Sequence, residues 1–370
     1  MRILTVSNCP LDRSLGSGYV ISGYADRLRS LGHEVTALQP ADYEWLPRLP
    51  AAKRLRMLLG YSAAVSRAVG REHFDIVELW GAESWRSVRR LARMRRRPLL
   101  VGRSNGLEPH FREALAGAGG FRTGIAGSLF DRWQEIEAAF REVDLLTTVS
   151  QFDHRYALDH GYQPEGRLLA LENPLDDEWL DRPLQAERPP VIGYFGGWLA
   201  RKGCDLVASI LPPVLRAHPG WRARLVGVGP LRPADFLPLD VAARVEVLPF
   251  VSDRVALRAL YDRTSVVLMP SVYESFSLAA AEAMACGCAL VASPTGIAAD
   301  LRPNDEAVIV KERSAGAWCA AVGALLGDEV RRLRIARRGG SRVQSLRWSE
   351  AVSRLLAFYQ SHLSKNGNVA

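Results

Sequence analysis

Short apolar runs of strand length recur along this chain with helical patterns between them, and that alternation restricts the fold more than any other feature. The first series occupies residues 2–6, 34–38, 75–79, 98–102 and 144–149, each bounded by glycine, proline, aspartate or a helix signal. Strands that alternate with helices in this way pair in parallel, with helices covering both faces of the sheet. A polar, proline-bearing stretch at 181–190 interrupts the series. A second one then begins, with runs at 191–195, 223–226, 245–250, 265–269, 289–293 and 307–310. A pattern that restarts after such a break, in halves of similar size, predicts an α/β protein of two Rossmann-like, doubly wound domains facing each other across a cleft. The expected boundaries are 1–185 and 186–347, with 348–370 forming a closing helix and tail; that helix could pack on either domain, including back on the N-terminal one. Ligands of such sheets collect beyond the carboxyl ends of the strands, so the loops that follow the strands are where chemistry is expected.

A length of 370 residues, 48% hydrophobic and 24% charged, is enough to bury two cores, and only the tail 364–370 reads as disordered. There is no run of about 18 apolar residues to span a bilayer, and the opening apolar run is too short for a signal peptide, so a cytosolic protein is expected. Cys9, Cys204, Cys286, Cys288 and Cys319 are odd in number and dispersed, and read as reduced thiols. Cys286 and Cys288 have no neighbouring histidine or further cysteine to complete a tetrahedral site, and no metal is expected.

The net charge of +8 favours an anionic partner. Basic residues concentrate at 53–56 and in the run Arg86, Arg89, Arg90, Arg93, Arg95, Arg96 and Arg97, whose spacing places several along one side of a helix. A solvated helix face is the plain reading of that run, and a dock for an anionic membrane surface the sharper one. Aromatic residues interleaved as for single-stranded nucleic acid are missing from it, so nucleic acid is not the expected partner.

The strongest chemical signal is residues 270–287, PSVYESFSLAAAEAMACG. An apolar strand ends at Pro270, Ser275 and Ser277 offer caps, and an alanine-rich helix runs to a stop at Gly287. Unpaired N–H groups of Phe276, Ser277 and Leu278 at the amino end of that helix suit a diphosphate or an oxygen-rich sugar. Glu274 and Glu282 lie on the order of 10 Å apart along it, at about 1.5 Å per residue. That span matches the two ends of a nucleotide sugar, with one carboxylate on the transferred sugar and the other on the ribose. Taken singly, each has a plainer reading, Glu274 as a capping carboxylate and Glu282 as a surface residue. The second signal is residues 194–203, YFGGWLARKG, directly after the first strand of the second half. Gly196 and Gly197 let the backbone approach a ligand closely, and the adjacent Arg201 and Lys202 ask for an anion between them. Lysine is scarce, at Lys53, Lys202, Lys311 and Lys365 only, which adds weight to its presence here.

Together these segments resemble the retaining glycosyltransferases of family 4, the group 1 glycosyltransferases, which carry Glu-x7-Glu after a Pro-Ser and a Lys-Gly loop after the first strand of their second domain. Gly227 and Gly229 in LVGVGP resemble that family's glycine-rich strand end, residues 144–150 its last first-domain strand, Asn173-Pro174 the segment after it, and Trp348-Ser349-Glu350 the closing helix. The resemblance covers nearly the whole chain and implies the GT-B fold. It implies a sugar transferred from a nucleotide-sugar donor, UDP- or GDP-linked, to a glycan, glycolipid or small-molecule acceptor, with retained configuration and with neither metal nor further cofactor. Lys202 and Arg201 would neutralise the diphosphate, Glu274 would hold the donor sugar and Glu282 the ribose, and Gly16-Ser17-Gly18 would lie against the phosphates or the acceptor. Three departures stand out. Gly197 and Trp198 occupy the place of a usual arginine, Asn105 that of a common histidine, and Ser277 that of a frequent glycine, which narrows the pocket near the sugar. Asn105 can still bond a sugar hydroxyl but cannot act as acid or base, and His110 nearby reads as a bystander in a loop. The alternatives are a GT-B epimerase or phosphorylase and a catalytically inactive nucleotide-sugar sensor.

Overall fold

A computed structural model describes residues 1–47, 52–118, 133–183, 185 and 187–366. The chain forms two compact units. The first comprises residues 1–116, 120–173 and 349–370, and the second takes in residues 117–119 and 174–348. The chain therefore leaves the first unit between Asn173 and Pro174, ahead of the polar stretch at 181–190, and the helix Trp348–Asn366 carries it back.

The first unit is built on β1 (Arg2–Val6), β2 (Glu34–Leu38), β3 (Ile76–Trp80), β4 (Leu99–Arg103), β5 (Leu145–Thr148) and β6 (Leu168–Ala170), ordered β2-β1-β3-β4-β5-β6. The second is built on β7 (Val191–Phe195), β8 (Arg222–Val226), β9 (Val245–Leu248), β10 (Val266–Met269), β11 (Ala289–Ala292) and β12 (Val308–Ile309), ordered β12-β11-β10-β7-β8-β9. All pairings in both sheets are parallel. The strand order reverses beside β1 in the first sheet and beside β7 in the second, so the loops leaving β1 and β3, and those leaving β7 and β10, diverge and leave a crevice at the carboxyl edge. Among the described residues, the three-residue β6 is the one strand that the apolar pattern does not announce.

One face of the first sheet packs an ordinary apolar core of Leu4, Val6, Val77, Leu79 and Leu100 against Tyr61, Val65 and Phe140. The side chains of Thr5, Glu78 and Arg103, buried in the same sheet, form instead a polar network with the closing helix. The Glu78 carboxylate accepts hydrogen bonds from Thr5 Oγ1 at 2.5 Å and from the hydroxyl of Tyr359. The Arg103 guanidinium lies 3.9 Å from Glu78 and 4.6 Å from each of the Tyr24 and Trp80 rings. A buried cation tolerates such a place because a carboxylate and two π-faces replace its water.

The basic run is one helix face only over Arg86, Arg89 and Arg90. The helix Trp85–Leu91 ends before Arg93, and Arg97 turns back to Asp144, its Nη2 2.8 Å from Oδ1. In the other basic stretch Arg56 is buried, donating to the carbonyl of Trp45. Among the described residues no helix is long and apolar enough to cross a membrane, and no group of side chains could hold a metal. All five cysteines are free thiols. Burial pushes the Cys288 thiol up to about 12.

Candidate active site

In the second unit, the loop leaving β7 and the loop leaving β10 are locked together through backbone. The amide of Val272 donates to the carbonyl of Arg201 at 2.8 Å, and Gly203, at φ 77°, is packed so closely on Pro270 that a Cβ would lie 2.2 Å from its carbonyl oxygen. Only glycine fits that contact and that backbone. Arg313 donates to the same Pro270 carbonyl at 3.1 Å. On the far side of the loop, Ile297 N–H donates to the Phe276 carbonyl at 2.8 Å. The segment that opens the helix Leu278–Ala285 is thus held at both ends before any ligand arrives.

Charge is arranged in two separate pairs. Lys202 Nζ donates to Glu274 Oε1 at 2.7 Å, and the Ser271 hydroxyl donates to the same oxygen at 2.7 Å. Glu282, 4% exposed, takes Arg254 Nη1 on Oε1 at 2.7 Å and the Tyr261 hydroxyl on Oε2 at 3.2 Å. Burial pushes the Glu282 carboxyl above its usual range, opposed by the Arg254 charge and by the hydrogen bonds from Arg254 and Tyr261. Ser277 caps the helix, its Oγ accepting from Ala280 N–H at 3.4 Å, and does so in a left-handed conformation, φ 74°. Phe276 is buried, while Ser277 and Leu278 are half-buried at the helix start. Gly197 accepts the Tyr194 hydroxyl at 2.8 Å on its carbonyl, and Gly227, at φ 86°, backs on the carbonyl of Gly196.

The structure therefore brings Lys202, Glu274, the Arg201 backbone and the helix start into one cluster, and gives Glu282 a partner of its own. Sequence reading missed Arg254, Tyr261, Ser271 and Arg313. The capping signal of Asp253, whose carboxylate accepts from Val255 N–H at 2.9 Å, announces the helix that carries Arg254, but nothing in the spacing pairs it with Glu282.

In the first unit, Gly16 opens the helix Gly16–Ser30 beyond β1, and Gly18 is buried against the chain's own turn, where a Cβ would lie 2.2 Å from the Asp12 carbonyl. Asn105 follows β4, beside Ser104, whose Oγ accepts from Gly106 N–H at 2.9 Å. His110 lies in the helix Glu108–Gly117 rather than in a loop and is engaged: Nδ1 stands 2.7 Å from Oδ1 of the buried Asp153, and the ring stacks on Tyr156 at 4.1 Å. Glu108, which opens that helix, has its carboxyl pushed up to about 7, chiefly by burial and then by the charges of Glu83 and Asp153.

Two parallel doubly wound sheets with this order and this loop architecture make the protein GT-B in fold. Sucrose-phosphate synthase from Thermosynechococcus elongatus matches it with a TM-score of 0.76 at 17% identity, over 99% of this chain and 100% of that one. The profile described as "Glycosyl transferases group 1" matches residues 189–328, and "Glycosyl transferase 4-like domain" matches 16–174. Between them the two take in most of the chain, which belongs to the group 1 glycosyltransferases. Curated relatives include a D-inositol 3-phosphate glycosyltransferase of Xylanimonas cellulosilytica, 36% identical over 46% of this chain and 42% of that protein. Another, from Kineococcus radiotolerans, is 30% identical over 64% of this chain and 60% of its own length. The chain spans from 40 to 60% of the length of the curated relatives it matches.

Proposed function

We propose that this chain transfers a sugar from a nucleoside-diphosphate sugar, UDP- or GDP-linked, to a hydroxyl acceptor, with retention at the anomeric carbon and without a metal. The observation that supports it most is the Lys202 and Glu274 pair, 2.7 Å apart beside a capped helix start at the point where the second sheet's strand order reverses. Lys202, Arg201 and the first N–H groups of the helix Leu278–Ala285 would stabilise charge on the departing diphosphate. Fixed donors of this kind act without reorganising during the reaction. The bond from the anomeric carbon to the phosphate oxygen breaks and the bond to the acceptor oxygen forms on the same face. The acceptor proton passes to the leaving phosphate oxygen, so no dedicated base is needed. Glu274 would hold the sugar hydroxyls and Glu282 the ribose, with Gly197 and Gly227 shaping the loop beside the donor. Gly16 and Gly18 would lie against the phosphates or the acceptor, and Asn105 would bond a sugar hydroxyl.

The acceptor class is a glycan, a glycolipid or a natural product. Because the curated relatives are named for D-inositol 3-phosphate, a polyol phosphate belongs in the acceptor screen. Arg86, Arg90, Arg93, Arg95 and Arg96 would dock the protein on an anionic membrane at the cytoplasmic face, an element that liposome sedimentation without preference for anionic lipid would remove. The donor reading is tested by thermal shift with UDP-, GDP-, ADP- and TDP-sugars on wild type and Glu282→Ala, followed by turnover with an acceptor panel. One nucleotide sugar is expected to shift wild type and not the variant. Binding without product in any acceptor would favour the sensor reading.

A further inference from the structure

The two groups that hold Glu282 come from opposite ends of one helix. Arg254 is the first residue of the helix Arg254–Asp262 and Tyr261 lies in its last turn. Each is fixed by aromatic neighbours. The Arg254 guanidinium lies 4.6 Å from the Trp179 ring centroid, and Tyr261 stacks on Phe195 at 3.8 Å and meets Trp179 edge-on at 6.0 Å. Trp179 is itself buried. Glu282 is therefore held on both oxygens by donors that cannot swing away without disturbing three rings.

An ionised carboxylate offers about four lone-pair sites, and Arg254 and Tyr261 occupy one on each oxygen. One site per oxygen is left, which is the complement of a vicinal diol. We propose that Arg254 and Tyr261 are positioning residues that lock the Glu282 carboxylate to accept from both ribose hydroxyls of the donor, so that the site selects ribonucleotides over 2′-deoxyribonucleotides. This rests on the reading of Glu282 as the ribose ligand. A loose carboxylate would rotate to bond a single hydroxyl nearly as well, and would discriminate little. A fixed one leaves a buried acceptor unpaired when one hydroxyl is missing. Arg254 acts here through Glu282, and its charge also opposes the upward push that burial gives that carboxyl.

The test is calorimetric titration of UDP, GDP and their 2′-deoxy forms into wild type, Arg254→Met, Arg254→Lys, Tyr261→Phe and Glu282→Gln, with circular dichroism to establish folding. Wild type is expected to prefer the ribo form of one nucleotide by about tenfold or more, the loss of one hydrogen bond to a charged group. Arg254→Met and Tyr261→Phe should bring that ratio towards one, Arg254→Lys should retain part of it, and inorganic pyrophosphate affinity should not move. A merely structural role would lower stability and leave the ratio intact. Folded Arg254→Met and Tyr261→Phe with the wild-type ratio would overturn the inference. An unchanged ratio in Glu282→Gln would instead overturn the assignment of Glu282 to the ribose.

Discussion

Replacing Ser277 by glycine removes a side chain from a backbone position that suits none. At φ 74° and ψ 81° Ser277 is in the left-handed region, where a residue with a Cβ costs about 1–2 kcal/mol. Against that relief stand two losses. The Oγ cap on Ala280 N–H is long, at 3.4 Å, and exchanging serine for glycine at such a cap costs only a few tenths of a kcal/mol. Glycine also frees the unfolded chain, a loss of about 0.5–1 kcal/mol. The balance for Ser277→Gly runs from a loss of about 0.3 to a gain of about 1.2 kcal/mol, centred on a gain of about 0.5 kcal/mol. Ser277→Ala keeps the strain and loses the cap, so it should destabilise by about 1 kcal/mol. The pair therefore separates backbone strain from capping. Urea denaturation of both variants beside wild type, followed by circular dichroism, should rank them glycine, serine, alanine in falling midpoint. If Ser277→Gly is as unstable as Ser277→Ala, the hydroxyl outweighs the backbone and the strain argument fails. In the glycosyltransferase reading, the glycine variant should also accept a bulkier donor sugar, measured as a lower KM.

Gly203→Ala places a Cβ 2.2 Å from the Pro270 carbonyl at a left-handed backbone position, and should cost about 3 kcal/mol or more and abolish nucleotide binding, read by thermal shift. Tyr359→Phe strips a donor from buried Glu78 and should lower stability by about 1–3 kcal/mol in urea denaturation; no loss would mean that this hydrogen bond does not hold the closing helix. Glu108 has a folded-state value raised to about 7 from an ordinary 4.5, so the folded chain binds its proton more tightly than the unfolded chain. The stability this group contributes is fully present below about pH 4.5 and is lost as pH rises through 7, and Glu108→Gln should flatten that part of the profile.

Among the described residues, eleven of the twelve strands follow from apolar runs of four residues or more between turn signals. The run that escapes, Leu168–Ala170, is too short to carry a period and is a strand only because β5 pairs with it. The basic run is legible only in part, for the same kind of reason. Helical spacing at 86–97 is satisfied on paper, but the helix ends at Leu91 and Arg97 is drawn to Asp144 by an ion pair that no local pattern encodes. At the site, residues adjacent in sequence to a strand end, such as Lys202 and Glu274, are legible because the fold dictates where strand ends lie. Arg254, Tyr261 and Arg313 act across 28, 21 and 43 residues, on Glu282 in the first two cases and on the Pro270 carbonyl in the third. Such pairings depend on how helices pack, which the spacing of single residues does not carry. The glycines illustrate the converse. Gly18 and Gly203 stand in segments that the sequence marks for a ligand, and both are required where the chain's own backbone approaches.

The central claim, that the second unit binds the diphosphate of a sugar donor through Lys202, is tested most directly by the dissociation constants of UDP and GDP for wild type and Lys202→Ala. Removing one hydrogen-bonding cation from the phosphate site should weaken the bound nucleotide by about tenfold or more, with both proteins folded. Neither nucleotide binding to folded wild type, or equal affinity in the two proteins, would contradict it.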